Sequence, residues 1–176
     1  AVASAAVDFT AAIRAAVAHL YHGGVTDIGF IGEPLTRSKQ AAFIAAMEAV
    51  AGGVDERRIV VSDQRFEPGG YRAVQRLRES GALPGALLCA YDRLAFGALR
   101  YLTEQGLHVP GDVRLIGMDD LAVDAYTVPS LSSIGVDNGA LAQWAVSRML
   151  GALTGSTPTC GDPPEPRLQL RESSAF

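Results

Sequence analysis

Apolar and polar positions follow two different periods along this chain, and the change from one period to the other predicts alternating helices and strands. Apolar residues at helical spacing, such as Ile13, Val17 and Leu20, indicate amphipathic helices, whereas short apolar runs such as residues 28–31 indicate buried strands. The predicted helices span residues 9–22, 36–50, 68–78, 92–105 and 138–153. The predicted strands span residues 28–31, 58–62, 86–90, 113–118, 131–136 and 167–171.

The order of these elements predicts an α/β fold. Helices and strands that alternate over short connections form right-handed βαβ units, which build a parallel sheet flanked by helices on both faces. Ligands of such sheets bind at the carboxyl ends of the strands. After Asp120 the alternation is interrupted, since residues 121–130 predict an irregular loop and residues 154–166, rich in Gly, Pro and Thr, predict an exposed loop.

Composition supports a folded domain without a nucleic-acid surface of its own. The 176 residues are 48% hydrophobic, which suits a chain with a substantial core. The net charge of −4 provides no basic surface for phosphates, so we expect any DNA contact to lie outside this chain. Cys89 and Cys160 are too few for a disulfide framework, and no apolar run reaches the roughly 18 residues of a membrane span. Without a visible signal peptide, we expect a cytoplasmic protein that does not contact membranes.

The sequence shows no constellation typical of an enzyme or a metal site. His19 and His22 lie three positions apart on one helix, but no carboxylate or cysteine stands at a supporting spacing. No Gly-x-Ser-x-Gly motif is present, and residues 29–34 lack the third glycine of a dinucleotide-binding loop. We therefore expect no catalytic residues, no metal and no cofactor.

Residues at the predicted strand ends instead favour a small polar ligand. Carboxylates accept hydrogen bonds from hydroxyls, and aromatic rings stack on the apolar faces of sugar rings. Asp119, Phe66, Tyr91 and Lys39 offer this mixture. Each also has a structural alternative, since Asp119 could belong to a turn, Phe66 could cover the core and Lys39 could be solvated. Asp92 is expected to cap the helix that follows it.

Five short motifs occur in an order that matches a known family. Their sequences are AYDRLAFGA at residues 90–98, GLHVPGDV at 106–113, LIGMDD at 115–120, PSLSSI at 129–134 and LRESS at 170–174. This ordered set resembles the effector-binding core of the LacI/GalR (lactose-repressor) family of bacterial transcription regulators. The resemblance extends over nearly the whole chain, because Asp8 and the pair His19-Leu20 also match near its start.

The resemblance implies a domain organisation. Such regulators carry an N-terminal helix-turn-helix head, a hinge helix and a two-lobed core like that of periplasmic sugar-binding proteins. This chain would begin where the second lobe begins, without the DNA-binding head and most of the first lobe. Residues 1–130 and 165–176 would form the C-terminal lobe, and residues 131–164 would cross to the other lobe. The apolar helix face that bears Trp144 would then lack its usual cover, and our hypothesis is that homodimerisation or swapping between chains supplies it.

The resemblance also implies effector-binding residues. Asp119 matches a carboxylate that binds effector hydroxyls or a ligand amine, and Phe66 matches an aromatic residue that packs on the ligand. Lys39 stands where the family usually has Arg, and Arg37 is near enough in sequence to replace it. Tyr91 occupies a position that is usually Asn. Because the departures at Lys39 and Tyr91 argue against a simple hexose, we expect a sugar-like or purine-like effector.

The leading functional expectation is therefore the ligand-sensing domain of a LacI-type regulator, which would modulate DNA binding by a separate head. The alternatives are a transport-type sugar-binding protein of the same architecture and an enzyme on this α/β frame. The sequence favours the regulator over the transporter because the closing Arg171-Glu172-Ser173 matches the regulators. It disfavours the enzyme because no nucleophile, base or metal constellation is present.

Overall fold

A computed structural model of the protein describes residues 7–155 and 161–176. Helices and strands alternate through most of the chain, as the sequence predicts. The helices are α1 (Thr10–His22), α2 (Arg37–Ala51), α3 (Phe66–Glu79), α4 (Asp92–Glu104) and α5 (Asn138–Thr154). The strands are β1 (Ile28–Gly32), β2 (Ile59–Val61), β3 (Ala86–Cys89), β4 (Arg114–Met118), β5 (Ser132–Gly135) and β6 (Arg167–Gln169).

The six strands form one sheet in the order β2-β1-β3-β4-β5-β6. The first five strands are parallel, which confirms the predicted architecture, and β6 alone runs antiparallel to its neighbour β5. The strand order reverses between β1 and β3, because the chain moves outward from β1 to β2 and then returns to place β3 on the other side of β1. Ligand crevices in open α/β sheets lie at the carboxyl ends of the strands beside such a reversal.

The core lies between the sheet and two helix pairs. Helix α1 packs against α2, and α3 packs against α4. All residues of β1 and β3 are buried, as expected for central strands covered on both faces. The rings of Phe30 on β1 and Phe43 on α2 stack with centroids 5.3 Å apart, and both side chains are fully buried. Burying each such side chain contributes about 1.5–3 kcal/mol to folding.

Two glycines allow α3 and α4 to approach closely. A methyl group on Gly70 of α3 would overlap the backbone of Leu94, and a methyl group on Gly97 of α4 would overlap the backbone of Glu67. The two helices therefore meet backbone to backbone at these positions. This contact fixes the start of α3, which carries Phe66, against the start of α4, which carries Asp92.

The later part of the chain differs in detail from the sequence expectations. Within the predicted loop of residues 121–130, Ala122–Tyr126 form a short 3-10 helix. Strand β5, which lies at the start of the expected crossing segment of residues 131–164, pairs with β4 and β6 in the sheet. The division of the chain between two lobes stays a prediction. The predicted exposed loop at residues 154–166 falls partly on residues 156–160, which lie outside the described residues together with Cys160.

Helix α5 stands apart from the core. Gly151 is the one buried residue among its 17 described residues, whereas Met149 is 60% and Leu153 is 77% exposed. Asp137 caps its start by accepting a hydrogen bond from the Ala140 N–H at 2.9 Å. The start of α5 is thus capped, while apolar side chains further along the helix remain exposed to solvent.

Candidate functional site

The carboxyl ends of β1, β3 and β4 lie side by side and place three acidic or aromatic residues at one edge of the sheet. Glu33 follows β1, Tyr91 follows β3 and Asp119 follows β4. The edge includes the strand-order reversal between β1 and β3, where ligand crevices are expected. Lys39 reaches the same edge from the first turns of α2.

Lys39 links α2 to this edge of the sheet. Its Nζ donates a hydrogen bond to the carbonyl oxygen of Ala90 at 2.8 Å and lies 4.0 Å from Oδ1 of Asp119. The same ammonium group lies 4.5 Å from the centroid of the Phe9 ring, within cation–π range. Burial lowers the pKa of Lys39, while the charges of Asp119 and Asp92 oppose that shift. The solvated alternative for Lys39 therefore does not describe this structure.

Asp119 is held in an unusual backbone conformation. Its φ is 125° and that of the following Asp120 is 52°, so both aspartates lie in the region that favours glycine. The Asp119 N–H donates to the carbonyl oxygen of Ile134 at 2.8 Å, which anchors the turn to β5. Burial raises the pKa of Asp119, and the Lys39 charge opposes the shift. Backbone strain of this kind often accompanies binding sites.

A cavity of about 350 Å³ opens beside Lys39, between the start of α1 and the start of α2. Its lining includes Asp8, Phe9 and Thr10 from α1 and its approach, and Ser38 with Lys39 from α2. Asp8 was predicted only as a match to the family, and Thr10 and Ser38 were not among the predicted site residues. No pattern in the sequence could have paired these segments, because their proximity depends on how α1 packs against α2.

Phe66 is half-buried and surrounded by cationic and aromatic groups. The guanidinium carbon of Arg93 lies 3.9 Å and that of Arg65 4.7 Å from its ring centroid. The Tyr91 ring meets it edge to face, with centroids 5.9 Å apart. Phe66 also packs against the core, as its structural alternative holds, while its ring is fixed near the strand ends.

Tyr91 occupies a different environment from the one expected of a ligand-binding residue. It is buried, and its hydroxyl accepts a hydrogen bond from the Phe66 N–H at 2.9 Å and donates one to Glu33 Oε2 at 3.1 Å. Arg65 Nε donates to the same oxygen of Glu33 at 3.1 Å. Glu33 was not among the predicted site residues, although an acidic residue directly after a central strand was a usable signal.

Arg37 is not brought together with the other predicted site residues. Arg37 is exposed and lines a separate depression of about 330 Å³ together with Ile44 and Val61. Val61 belongs to β2, the strand at one edge of the sheet. Arg37 therefore does not replace the family's usual arginine beside Asp119 in this structure.

The prediction that Asp92 caps α4 is wrong. The helix has no side-chain cap at its start, and the buried carboxylate of Asp92 points to other elements. It accepts hydrogen bonds from Ser133 Oγ at 2.6 Å and from the Leu121 N–H at 3.1 Å. Gly117 gives it room, because a side chain there would overlap the carboxylate.

A second buried carboxyl group, that of Asp124, faces Asp92. In the described part of the chain no donor reaches either oxygen of Asp124, so the group is satisfied only when the two carboxyls share a proton. Burial and the neighbouring Asp92 charge raise the pKa of Asp124 to about 8. Burial likewise raises the pKa of Asp92, against the hydrogen bond from Ser133.

Residues 7–155 and 161–176 contain neither a metal-binding cluster nor a helix able to span a membrane. No group of three or more His, Cys, Asp or Glu side chains there has the arrangement of a metal site. No helix in that part of the chain has the length and apolar character needed to cross a membrane.

Comparison with known proteins identifies the family. Residues 17–174 match the family described as periplasmic binding protein-like domain. The HTH-type transcriptional repressor PurR of Escherichia coli O1:K1 is 38% identical over 137 residues, which is 75% of this chain and 40% of the repressor. The chain belongs to the periplasmic-binding-protein-like family, in the form carried by LacI/GalR regulators. The resemblance inferred from the five motifs is thereby confirmed.

Solved structures agree with this assignment. The Escherichia coli transcriptional repressor ascG is 28% identical with a TM-score of 0.85, over 95% of this chain and 62% of that chain. A LacI-family sugar-binding transcriptional regulator from Escherichia coli, complexed with phosphate, is 30% identical with a TM-score of 0.85, over 95% and 61%. A putative LacI-family regulator from Sanguibacter keddieii is 32% identical with a TM-score of 0.84, over 97% and 67%. These relatives are regulators and not enzymes, and the chain spans about 40% of the length of the PurR relatives.

Proposed function

We propose that this LacI-type domain binds a small sugar-like or purine-like effector at the carboxyl ends of its strands and thereby modulates DNA binding by an N-terminal head outside this chain. The effector would lie between this lobe and the other lobe of the family's core. An effector changes the arrangement of the lobes only as far as it binds one arrangement more tightly than the other.

The observation that carries this proposal is the incomplete pairing of Asp119. Its side chain is 44% exposed, and no described residue donates a hydrogen bond to its carboxylate. The nearest cation, Lys39 Nζ, lies at the outer limit of an ion pair, and it already donates to Ala90. A partly buried carboxylate without a hydrogen-bond donor is stabilised when a ligand hydroxyl or N–H donates to it. Asp119 would therefore act as the hydrogen-bond acceptor for the effector.

The apolar surface of α5 supports the proposals about partners. The crossing segment expected at residues 131–164 would contact the other lobe, although β5 at its start pairs within the sheet described here. Val146, Met149, Leu150 and Leu153 are each more than half exposed, which is unfavourable in a protein without a partner at this helix. We infer that a homodimer partner or the other lobe of the family's core covers this face.

A thermal-shift experiment on the 176-residue chain tests the site. D-glucose, D-glucose 6-phosphate and adenine represent sugars, sugar phosphates and purines. A compound present at a hundredfold excess over its Kd stabilises the folded state by about 2.7 kcal/mol. For a domain of this size that raises Tm by about 5–10 °C.

Asp119→Asn is the informative variant, because Asn tolerates a positive φ while removing the charge. Glu79→Gln is the control, since Glu79 is exposed and ends α3, the helix that Phe66 begins at the site. The proposal predicts a shift in the parent and in Glu79→Gln that is lost in Asp119→Asn. An equal shift in all three proteins would place the ligand elsewhere, and no shift in the parent with any compound would contradict binding of these classes by this chain.

A further inference from the structure

The backbone of Phe66 adopts a conformation that its side chain disfavours. Its φ is 60°, in the left-handed region where a bulky residue is an outlier. Phe66 also begins α3, so its φ determines the direction in which the aromatic ring points relative to the carboxyl ends of the strands. Such a conformation persists only where surrounding contacts impose it.

Tyr91 supplies the contact that holds this backbone. The phenol hydroxyl accepts the hydrogen bond of the Phe66 N–H at 2.9 Å, across 25 positions of sequence. The hydroxyl proton is itself directed to Glu33 Oε2 at 3.1 Å. Glu33 is buried, and Arg65, the residue before Phe66, donates to the same oxygen. Both residues are therefore tied to Glu33, Arg65 directly through its side chain and Phe66 through the Tyr91 hydroxyl.

The ring of Phe66 is fixed by the same group of residues. Tyr91 meets it edge to face, and the guanidinium groups of Arg65 and Arg93 lie within cation–π distance. Both arginines are themselves anchored by carboxylates, Arg65 by Glu33 and Arg93 by Glu67 at 2.7 Å. Backbone and ring thus depend on one connected network, in which the Tyr91 hydroxyl joins the Phe66 N–H to Glu33.

We propose that Tyr91 is a positioning residue, whose hydroxyl holds Phe66 in its left-handed conformation and so fixes the aromatic ring that packs on the effector. The proposal rests on the function proposed above. It gives Tyr91 a role through Phe66 instead of through direct contact with the effector, because the hydroxyl proton is already donated to Glu33.

The first experiment requires no effector. Hydrogen–deuterium exchange of the full chain, read on peptides that span residues 63–67, compares the parent with Tyr91→Phe. This substitution keeps the ring and removes only the hydroxyl, so the Phe66 N–H loses its acceptor. We expect exchange of that amide to accelerate at least about fivefold, the equivalent of one hydrogen bond.

Tyr71→Phe is the matched control. Its hydroxyl donates to Glu104 at 2.7 Å on the outer surface of α3 and α4, so the loss of one tyrosine hydroxyl there should leave residues 63–67 unchanged. Glu33→Gln tests whether the charge is responsible, because the amide oxygen can still accept from Tyr91. If Phe66 exchanges at the parent rate in Tyr91→Phe, or if Glu33→Gln accelerates it as much as Tyr91→Phe does, the proposal is overturned.

The second experiment measures binding. Adenine, D-glucose and D-glucose 6-phosphate are titrated calorimetrically into the parent, Tyr91→Phe and Tyr71→Phe. A compound that binds the parent should bind Tyr91→Phe about fivefold to tenfold more weakly and Tyr71→Phe equally well. Faster exchange with unchanged affinity would overturn the positioning role. If none of the three compounds binds the parent, the proposed ligand classes fail, and the exchange result still decides whether Tyr91 holds Phe66.

Discussion

The buried carboxyl pair Asp92–Asp124 makes a specific prediction about pH. Both groups are fully buried, and neither oxygen of Asp124 receives a hydrogen bond from a described donor other than the shared proton. The pKa of Asp124 is raised to about 8 from an ordinary value of 3.8. Between these two pH values the folded protein binds a proton that the unfolded chain has released.

The sign of the effect follows from this proton count. Because the folded state binds more protons, the free energy of unfolding falls as pH rises from about 4 to about 8, by at most about 1.4 kcal/mol per pH unit for one proton. Its contribution is complete below the unfolded pKa and is lost by the folded pKa, after which the curve is flat. From pH 6.0 to pH 7.5 the pair therefore removes about 2 kcal/mol, or about 4–8 °C of Tm for a domain of this size.

Asp124→Asn is the variant that isolates this effect. The amide does not titrate, and its NH₂ group can donate to the Asp92 carboxylate in place of the shared proton. Thermal unfolding followed by circular dichroism at pH 6.0, 6.5, 7.0 and 7.5 should show a shallower fall of Tm in Asp124→Asn than in the parent. Asp63→Asn, which removes an exposed carboxylate, should follow the parent curve.

The comparison between variants is needed because all other titratable groups are common to the parent and Asp124→Asn. Their contribution cancels when Asp124→Asn is subtracted from the parent. Parallel Tm curves for the parent and Asp124→Asn would show that Asp92 and Asp124 do not share a proton in the folded state.

Two further predictions concern packing and are measured by chemical denaturation. Gly97→Ala should reduce the free energy of unfolding by about 1–3 kcal/mol, because the added methyl group overlaps the Glu67 backbone. The control Gly111→Ala should leave the free energy of unfolding nearly unchanged, because the nearest neighbour of its methyl group would lie 3.5 Å away. Equal losses in the two variants would contradict the close approach of α3 and α4. Leu102→Ala should cost about 2–5 kcal/mol, since Leu102 is fully buried, whereas Leu153→Ala should change stability by less than about 0.5 kcal/mol, since Leu153 is 77% exposed. A large loss at Leu153 would show that α5 is packed in solution.

The fold was predictable because its signals are local. Each helix and strand has its own apolar period and its own closing glycine or polar residue, so the predicted α1 at residues 9–22 and the observed Thr10–His22 differ by a single position. The predicted α3 began at Pro68, two residues after its observed start at Phe66. That start depends on a positive φ at Phe66, which the residue type does not favour and which distant contacts impose.

The site was less predictable because it depends on direction and on distant contacts. Arg37 was expected to substitute for an arginine near Lys39, but two helical positions turn a side chain by about 200°. The two residues therefore line different surfaces. Tyr91 and Glu33 lie 58 positions apart in sequence. No local pattern predicts that the hydroxyl of a tyrosine after one strand donates a hydrogen bond to a glutamate after another strand.

At Asp92, tertiary hydrogen bonds replace the helix cap that the local sequence predicts. An aspartate at a helix start usually caps that helix. Here the Asp92 carboxylate instead accepts hydrogen bonds from the Leu121 N–H and from Ser133 Oγ. Ser133 Oγ in turn accepts a hydrogen bond from the Asp120 N–H at 3.0 Å. These bonds fix the strained turn that begins at Asp119. An effector that binds Asp119 therefore acts on the turn that the Asp92–Asp124 pair stabilises. We expect effector binding and protonation of the pair to be coupled, so that affinity changes with pH in the parent more than in Asp124→Asn.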